Sequence, residues 1–461
     1  MPAPAATSAH GRPASGRPVP YAMELPDRVA KQRYFDRDFY ALECEQLWPR
    51  VWQMACRLEE IPGVGDAVEY QILDQSVIVV RTSESEVRAF QNACRHRGVK
   101  LVDGRDTCPT GFVCPFHGWC YDLAGTNTFV SRPRTFAEHN LQAGDIDLRG
   151  VRCERWGGCA WINLDDDAPP LRDCLEPAAT VLDAWKVESM RAEWWCAFRL
   201  PVNWKLAQEA FMEQYHVLET HPQLRIPGRF PPRDGSAFDP RAFVEAELHY
   251  LHTMSEGMAG MVHATDVAVA ERLADLELPV DPAQARSTWD RALNDAVTSW
   301  HREAGVDVPD LNDLEARGLT EPMVYAFPHY FVLPMYSSAS SYRFRPLGPE
   351  ETLMEIWSLT RFPEGEEHDP PGRPEVWAGD DPRVPPIPTQ DFSNLPRQQQ
   401  GLHAAGFEYM RLSEQVEGHI GNFHRTIDGF LAGRPTESLL AALHELNLNP
   451  LDRPVVADLG L

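Results

Sequence analysis

Cys94 and His96, followed after seventeen residues by Cys114 and His117 as C-x-x-H, close the first quarter of a 461-residue chain. Few features constrain a fold as tightly. Four metal-binding side chains in two close pairs must reach one point, and only rigid turns on a compact scaffold hold them there. With ten Cys and sixteen His in the chain, chance would place this pattern in roughly one sequence in a thousand. Two metal chemistries use two cysteines and two histidines. Structural zinc is one, with a share of about one in ten before the flanks are read. The other is a two-iron, two-sulfide cluster with thiolates on one iron and imidazoles on the other. Zinc fingers usually keep both cysteines in one pair, whereas each pair here holds one Cys and one His. Gly98 and Gly118 stand just past the histidines, where tight turns expose backbone amides to bridging sulfides. Imidazole ligands raise a cluster's potential, so the pattern points to single-electron transfer.

The words Cys94-Arg95-His96-Arg97-Gly98 and Cys114-Pro115-Phe116-His117-Gly118-Trp119 resemble the Rieske domain of Rieske non-haem iron oxygenases. That resemblance implies a [2Fe–2S] cluster on Cys94, His96, Cys114 and His117.

Charge narrows the partners. Lys and Arg total 43 against 68 acids, a net charge of −25, which excludes nucleic acid and anionic membrane as partners. No apolar run reaches membrane-spanning length, and residues 1–20 lack a signal-peptide core, so a cytoplasmic protein is expected. Cys44, Cys56, Cys108, Cys120, Cys153, Cys159, Cys174 and Cys196 show no disulfide framework and read as reduced thiols.

Three textures follow one another. Residues 1–34 read as a flexible arm. Residues 35–165 open with helical spacing over 35–57 and continue as short strands (68–72, 76–81, 111–114), giving a small all-β domain. A Pro/Asp-rich joint at 164–170 marks the boundary. Residues 166–461 mix helices (205–218, 262–276, 400–431) with strands (330–333, 341–345, 353–362) without regular alternation, an α+β texture. The Pro-rich stretch 364–388 reads as an extended surface connection.

A second cluster of ligand-type residues lies in Glu213-x-x-His216-x-x-x-x-His221, preceded by Asn203-Trp204-Lys205. Residues five apart diverge by roughly 140° on a helix, so both histidines reach one metal only if the helix unwinds. Pro222 supplies the cause, because the residue before proline is pushed out of the α region. Two imidazoles and a carboxylate form the ligand set of mononuclear Fe(II) oxygenases. The spacing alone is weak, since it arises by chance in about one chain in six at this composition. His419 with His424 and His249 with His252 show similar separations without the context.

Nearly the full chain shares the resemblance. Asn203-Trp204-Lys205 through Glu213-Gln214-Tyr215-His216 to His221-Pro222 is similar to the iron segment of oxygenase α subunits, which implies a helix-grip catalytic domain with Fe(II) on His216, His221 and a distant acid. Asp391, in Asp391-x-x-Asn394 before Gln399-Gln400-Gly401-Leu402, matches that acid; a helix-capping Asp is the plain alternative. The resemblance makes Glu213 an electron-transfer bridge between this iron and a neighbouring subunit's cluster. Glu rather than Asp there, and the shorter spacing to Asn-Trp-Lys, look more like the quaternary-amine monooxygenases than the naphthalene-type dioxygenases.

The expected protein is thus the terminal oxygenase of a multicomponent system. It would use O2 and electrons from NAD(P)H, delivered by a separate reductase with or without a ferredoxin, and form a homotrimer with or without a β subunit. It would hydroxylate or demethylate an aromatic or other apolar small molecule, with a methylamine-type substrate second. A Rieske electron carrier or redox sensor with a ligand-binding domain is the rival of another class. Met254, Met258 and Met261, with Tyr325, Phe327, Tyr330 and Phe331, are candidate pocket walls or plain core, and Glu256 and Trp357 candidate pieces of a cation cage.

Overall fold

The computed structural model describes every residue except 1–16, 233–235, 259–260, 364, 367–368, 448–450 and 452. Seven antiparallel strands run in the order Gln53–Arg57, Cys159–Asn163, Gly150–Trp156, Val87–Gln91, Gln75–Arg81, Asp66–Ile72 and Arg105–Thr107. Three short strands, Phe112–Val113, Cys120–Tyr121 and Asn127–Phe129, form a separate small sheet. The run Val77-Ile78-Val79-Val80 shows how the two are joined, because all four side chains are buried. Alternation along the strand sends Val77 and Val79 into the main core, and Ile78 and Val80 into a second core with Cys94, Cys114, Trp119 and Tyr121. Each such side chain contributes about 1.5–3 kcal/mol of apolar burial. The unbroken apolar run is therefore the mark of a sheet covered on both faces, one by the C-terminal half and one by the loops carrying the Cys/His pairs.

The C-terminal half is built on a six-stranded sheet in the order Val324–Ala326, Tyr330–Met335, Ser338–Gly348, Glu351–Thr360, Arg191–Leu200 and Val376–Ala378, antiparallel except for the last pair. Helices Pro240–Gly257, Pro282–Glu303, Pro386–Leu402 and Gly418–Leu431 contribute to the same core. Two of them begin with an Asp-Pro pair. The Asp239 and Asp281 side chains accept first-turn N–H groups, and Pro240 and Pro282 sit where no N–H is needed. Among the described residues, no helix is long and apolar enough to cross a membrane.

Several expected boundaries move. The helical spacing over 35–57 yields a helix only at Arg37–Gln46; Pro49 lies in a short turn of 3-10 helix, and residues Gln53–Arg57 are already strand. The helix expected at 262–276 is Ala264–Glu271. The one expected at 400–431 is three pieces: the end of Pro386–Leu402, strand Tyr409–Arg411 and helix Gly418–Leu431. The strand leaves the helical path because it pairs with Arg28–Ala30. That pairing also shortens the arm expected at 1–34. Its residues 1–16 lie outside the described ones, but Val29, Arg33 and Tyr34 are fully buried. The connection at 364–388, whose Glu364 is likewise outside, carries the edge strand Val376–Ala378 and ends in the helix starting at Pro386.

Candidate metal centres

Both Cys/His pairs sit in the same backbone turn. Cys94 N–H donates to the Val99 carbonyl at 2.8 Å and Gly98 N–H to the Cys94 carbonyl at 2.8 Å. Cys114 N–H donates to the Trp119 carbonyl at 2.8 Å and Gly118 N–H to the Cys114 carbonyl at 3.0 Å, with identical offsets. Gly98 and Gly118 have φ of +76° and +70°, and a Cβ at either meets nothing within 4 Å. Backbone handedness, not crowding, selects glycine there. The histidine occupies the third residue of one turn and the fourth of the other, and the rings stand 4.6 Å apart.

Chemically the two ends differ. Cys94 and Cys114 are buried, with the Tyr121 hydroxyl 3.3 Å from Cys94 Sγ, while both imidazoles lie nearer the surface. His96 lies flat on Trp119, ring centroids 5.1 Å apart and planes 7° from parallel. Its Nδ1 is buried with no hydrogen-bond partner, a lone pair that a metal would satisfy. Burial, together with the neighbouring His117 and Arg97, favours the neutral form of His96 that ligation requires. Donor set, burial and the unpartnered nitrogen all fit a [2Fe–2S] group.

The second centre depends on a helix that stops. Asn203 caps helix Trp204–Glu209 by accepting the Lys205 N–H, while Trp204 Nε1 and Lys205 Nζ both donate to Glu43. The helix expected at 205–218 ends at Glu209, and tight turns follow as Phe211 N–H bonds the Gln208 carbonyl and Met212 N–H that of Glu209. Glu213 and His216 therefore lie outside regular helix. His221, at φ −117° and ψ 73°, is held out of the α region ahead of Pro222.

Asp391 reaches the histidines from helix Pro386–Leu402, as a buried residue beyond its first turn and not as its cap. His221 Nε2 lies 3.2 Å and His216 Nε2 3.7 Å from Asp391 Oδ1. One ligand atom from each of the three lies within 4.8 Å of the others. The remaining ring nitrogens explain the aim. His216 Nδ1 is 2.5 Å from Glu213 Oε1, and His221 Nδ1 is 2.7 Å from Gln390 Oε1. An acceptor on each Nδ1 fixes the proton there and leaves both Nε2 lone pairs turned towards Asp391. Burial works against protonating His216, but the Glu213 hydrogen bond and the charges of Glu213 and Asp391 outweigh it; at His221 burial is outweighed mainly by Asp391. The carboxylates of Glu213 and Asp391 thus make the surroundings of both rings electronegative, which raises the imidazoles and would favour a bound metal cation in the proton's place. Glu213 binds His216 through both oxygens, Oε2 accepting the backbone N–H at 3.0 Å.

Sequence reasoning missed Gln390, although it adjoins Asp391, and Gln223, whose Nε2 donates to Gln390 Oε1 at 2.8 Å. The pocket candidates divide by face. Phe331 pairs with Tyr342 on the face that meets Phe211, in the segment leading to His216. Tyr330 pairs with Arg343 on the opposite face and meets Trp161 of the all-β domain. Met254, Met258, Met261, Tyr325 and Phe327 are core. The cation-cage pieces do not assemble: Glu256 is exposed on its helix, and the Trp357 ring is already faced by the Arg343 guanidinium at 5.1 Å.

Comparison with known proteins finds two family domains in the chain. Residues 51–140 match the Rieske [2Fe-2S] domain, and residues 172–433 the catalytic domain of the ring hydroxylating alpha subunit. The large subunit of anthranilate 1,2-dioxygenase from Acinetobacter baylyi is 32% identical over 200 residues, 42% of this chain and 42% of that one. The oxygenase subunit of glycine betaine monooxygenase from Pseudomonas aeruginosa is 29% identical over 191 residues, 41% of this chain and 44% of that one. The matched stretch thus spans less than half of either relative. Naphthalene 1,2-dioxygenase with indole bound shares the fold with a TM-score of 0.60 at 19% identity, over 91% of this chain and 97% of that one. The second of the two matched domains takes in more than half of the sequence, and the chain belongs to the family of ring-hydroxylating α subunits, with a Rieske [2Fe–2S] domain ahead of the catalytic domain.

Proposed function

We propose that this chain is the terminal oxygenase of a multicomponent Rieske system, acting on an aromatic or other apolar small molecule. Cys94, His96, Cys114 and His117 hold the [2Fe–2S] cluster, and His216, His221 and Asp391 hold Fe(II). Residues 35–165 form the cluster domain and 166–461 the iron domain. The observation that carries this reading is the pair of Nε2 atoms directed at Asp391, each by its own acceptor on Nδ1. The chemistry supplied by the two groups when bound is single-electron transfer and activation of O2.

The chain's own residues do the rest. Glu213 and Gln390 orient the two imidazoles, and Asp391 balances the charge of the ion. Phe211, Phe331, Tyr342 and Phe344 pack ring on ring in the buried core against the segment that leads to the triad. Glu213 is positioned to receive an imidazole N–H from a neighbouring subunit's cluster domain. Val113, Phe116 and Phe129 beside the cluster loops expose more than half of their surface, as does Tyr215 beside His216. Apolar groups at both places suit a head-to-tail homotrimer in which each subunit covers the next. Electrons come from a separate reductase, and ten unpaired cysteines fit a cytoplasmic location.

Metal analysis with O2 uptake tests the reading. The oxygenase binds about three irons per chain, two in the cluster and one in the triad, and consumes O2 when a reductase and a small panel of aromatic acids and methylamines are supplied. About two irons and no substrate-stimulated uptake would leave an electron carrier.

A further inference from the structure

A buried polar network outside both metal centres ties the N-terminal segment to the residue that ends the triad's leading helix. Tyr34 Oη lies 2.9 and 3.0 Å from the two Glu209 oxygens, and His424 Nε2 lies 2.8 Å from Glu209 Oε1. Arg33 Nε donates to His424 Nδ1 at 3.0 Å. A guanidinium always donates, so Nδ1 is the acceptor and the His424 hydrogen sits on Nε2, facing Glu209. Tyr34 and His424 therefore both give their hydrogens to this carboxylate. Tyr34 Oη also lies 2.9 Å from His424 Nε2, so the three groups close into one hydrogen-bonded cluster around the carboxylate. Glu209 also lines a cavity of about 150 Å³, which it shares with Glu213, His216, Asp391 and Glu417 and whose lining includes no Lys or Arg.

The charged surroundings are defined on every side. Burial holds the Glu209 carboxyl up at about 7, against the Tyr34 hydrogen bond and the charges of Lys205 and Arg33, with Glu417 adding to the rise. Lys205 is paired with Glu43 and Arg33 with Asp428. Burial, Arg33 and Lys205 keep His424 neutral, and burial and Glu209 push the Tyr34 phenol well up. Glu417 is raised by burial and, through charge, by Glu213. Within the network, Glu209 is the member that changes charge near neutrality.

We propose that Glu209 is the proton-holding carboxyl of the oxygenase site, taking a proton from the shared cavity as electrons reach the Glu213–His216 side and returning it through the cavity to the triad. The proposal rests on the oxygenase reading above. In the uptake step one O–H bond forms on Glu209 and one O–H bond of a cavity water or hydronium breaks. The electrons come from the reductase, and O2 is the oxidant that consumes both electrons and protons. A buried carboxyl with two fixed donors and a cavity beside it stores such a proton without bulk water.

Glu209→Gln in the full holoenzyme is the test, because the amide keeps the shape and cannot take up the proton. In the wild type, the infrared band of a protonated carboxyl should vanish as pH rises through neutrality, and kcat should show a limb in the same range. In Glu209→Gln that band component and the limb should both be missing, with kcat lowered about 10²-fold. Tyr34→Phe removes a donor that holds the carboxyl down, so band and limb should both move to higher pH; if Glu209→Gln does not fold, this shift alone decides. A band or limb unchanged in Glu209→Gln, or unmoved in Tyr34→Phe, overturns the proposal. The infrared titration needs no turnover, so an inactive protein whose band behaves as expected would count against the oxygenase reading and not against the titration of Glu209.

Discussion

The two proposed metal centres are built in opposite ways. The four cluster residues lie within 24 positions, on two turns with the same hydrogen-bond offsets and the same left-handed glycine. The triad joins residues separated by 170 positions, His221 and Asp391, and depends on a helix ending at Glu209, a proline at 222 and a glutamine at 390. A centre closed by local turns has its geometry set by short-range backbone bonds, so its tolerance is decided residue by residue. A centre assembled across the chain has its geometry set by packing, and by partners such as Glu213 and Gln390 that hold the imidazoles through Nδ1. Loss of a ligand should empty either centre, whereas loss of a supporting partner should weaken the second by degrees.

The strongest way to break this contrast is Cys94→Ser. Visible cluster absorption and reductase-driven turnover should both fall below detection, since a direct ligand is lost; an intact spectrum would remove the cluster assignment. Asp391→Ala comes next. Iron should drop from about three to about two per chain and turnover should be lost while the cluster spectrum is unchanged. If iron is retained, another acid is the ligand.

Glu213→Gln should leave both centres filled. Reoxidation of the reduced cluster by O2 and substrate should slow by about 10- to 100-fold in single-turnover measurements, because an amide offers a donor where two imidazoles need an acceptor. Loss of the triad's iron would make Glu213 a ligand, and a wild-type rate would remove the inter-subunit route. Gln390→Ala frees the His221 ring without removing a ligand, and chelator competition should show iron held about 10-fold more weakly. The smallest effects belong to Gly98→Ala and Gly118→Ala. Each should cost about 1–2 kcal/mol in denaturant unfolding, from backbone strain at positive φ alone, and retain the cluster. Unequal costs would show that the turns differ in more than the placement of their histidines.

Glu209 adds a pH dependence to stability. Its carboxyl is raised in the fold from an ordinary 4.5 to about 7, so the stabilisation it gives is full below the lower value and lost as pH rises through the upper one. Over that window the loss is on the order of 3 kcal/mol. Thermal unfolding of Glu209→Gln should be flatter between those pH values than that of the wild type.

Features that rest on short-range chemistry are legible along the chain. The Cys/His pairs, the glycines past them, the strand runs of the β domain and the break at Pro222 are all written within a few residues, because turn geometry and strand alternation are local. The α+β texture of the rest was equally readable. Helices Pro240–Gly257 and Pro282–Glu303 were overlooked although their Asp-Pro starts were there to be read. His216, His221 and Asp391 were nameable from their words, but spacing could not bring Asp391 across 170 positions to the histidines. Only the tertiary structure decided that contact, the roles of Gln390 and Gln223, and the order in a segment that reads as a loose arm. Arg33 and Tyr34 carry no periodic signal of their own. They are ordered because buried Glu209 and His424 need partners that water does not supply, and that need arises only when distant parts of the chain have packed together.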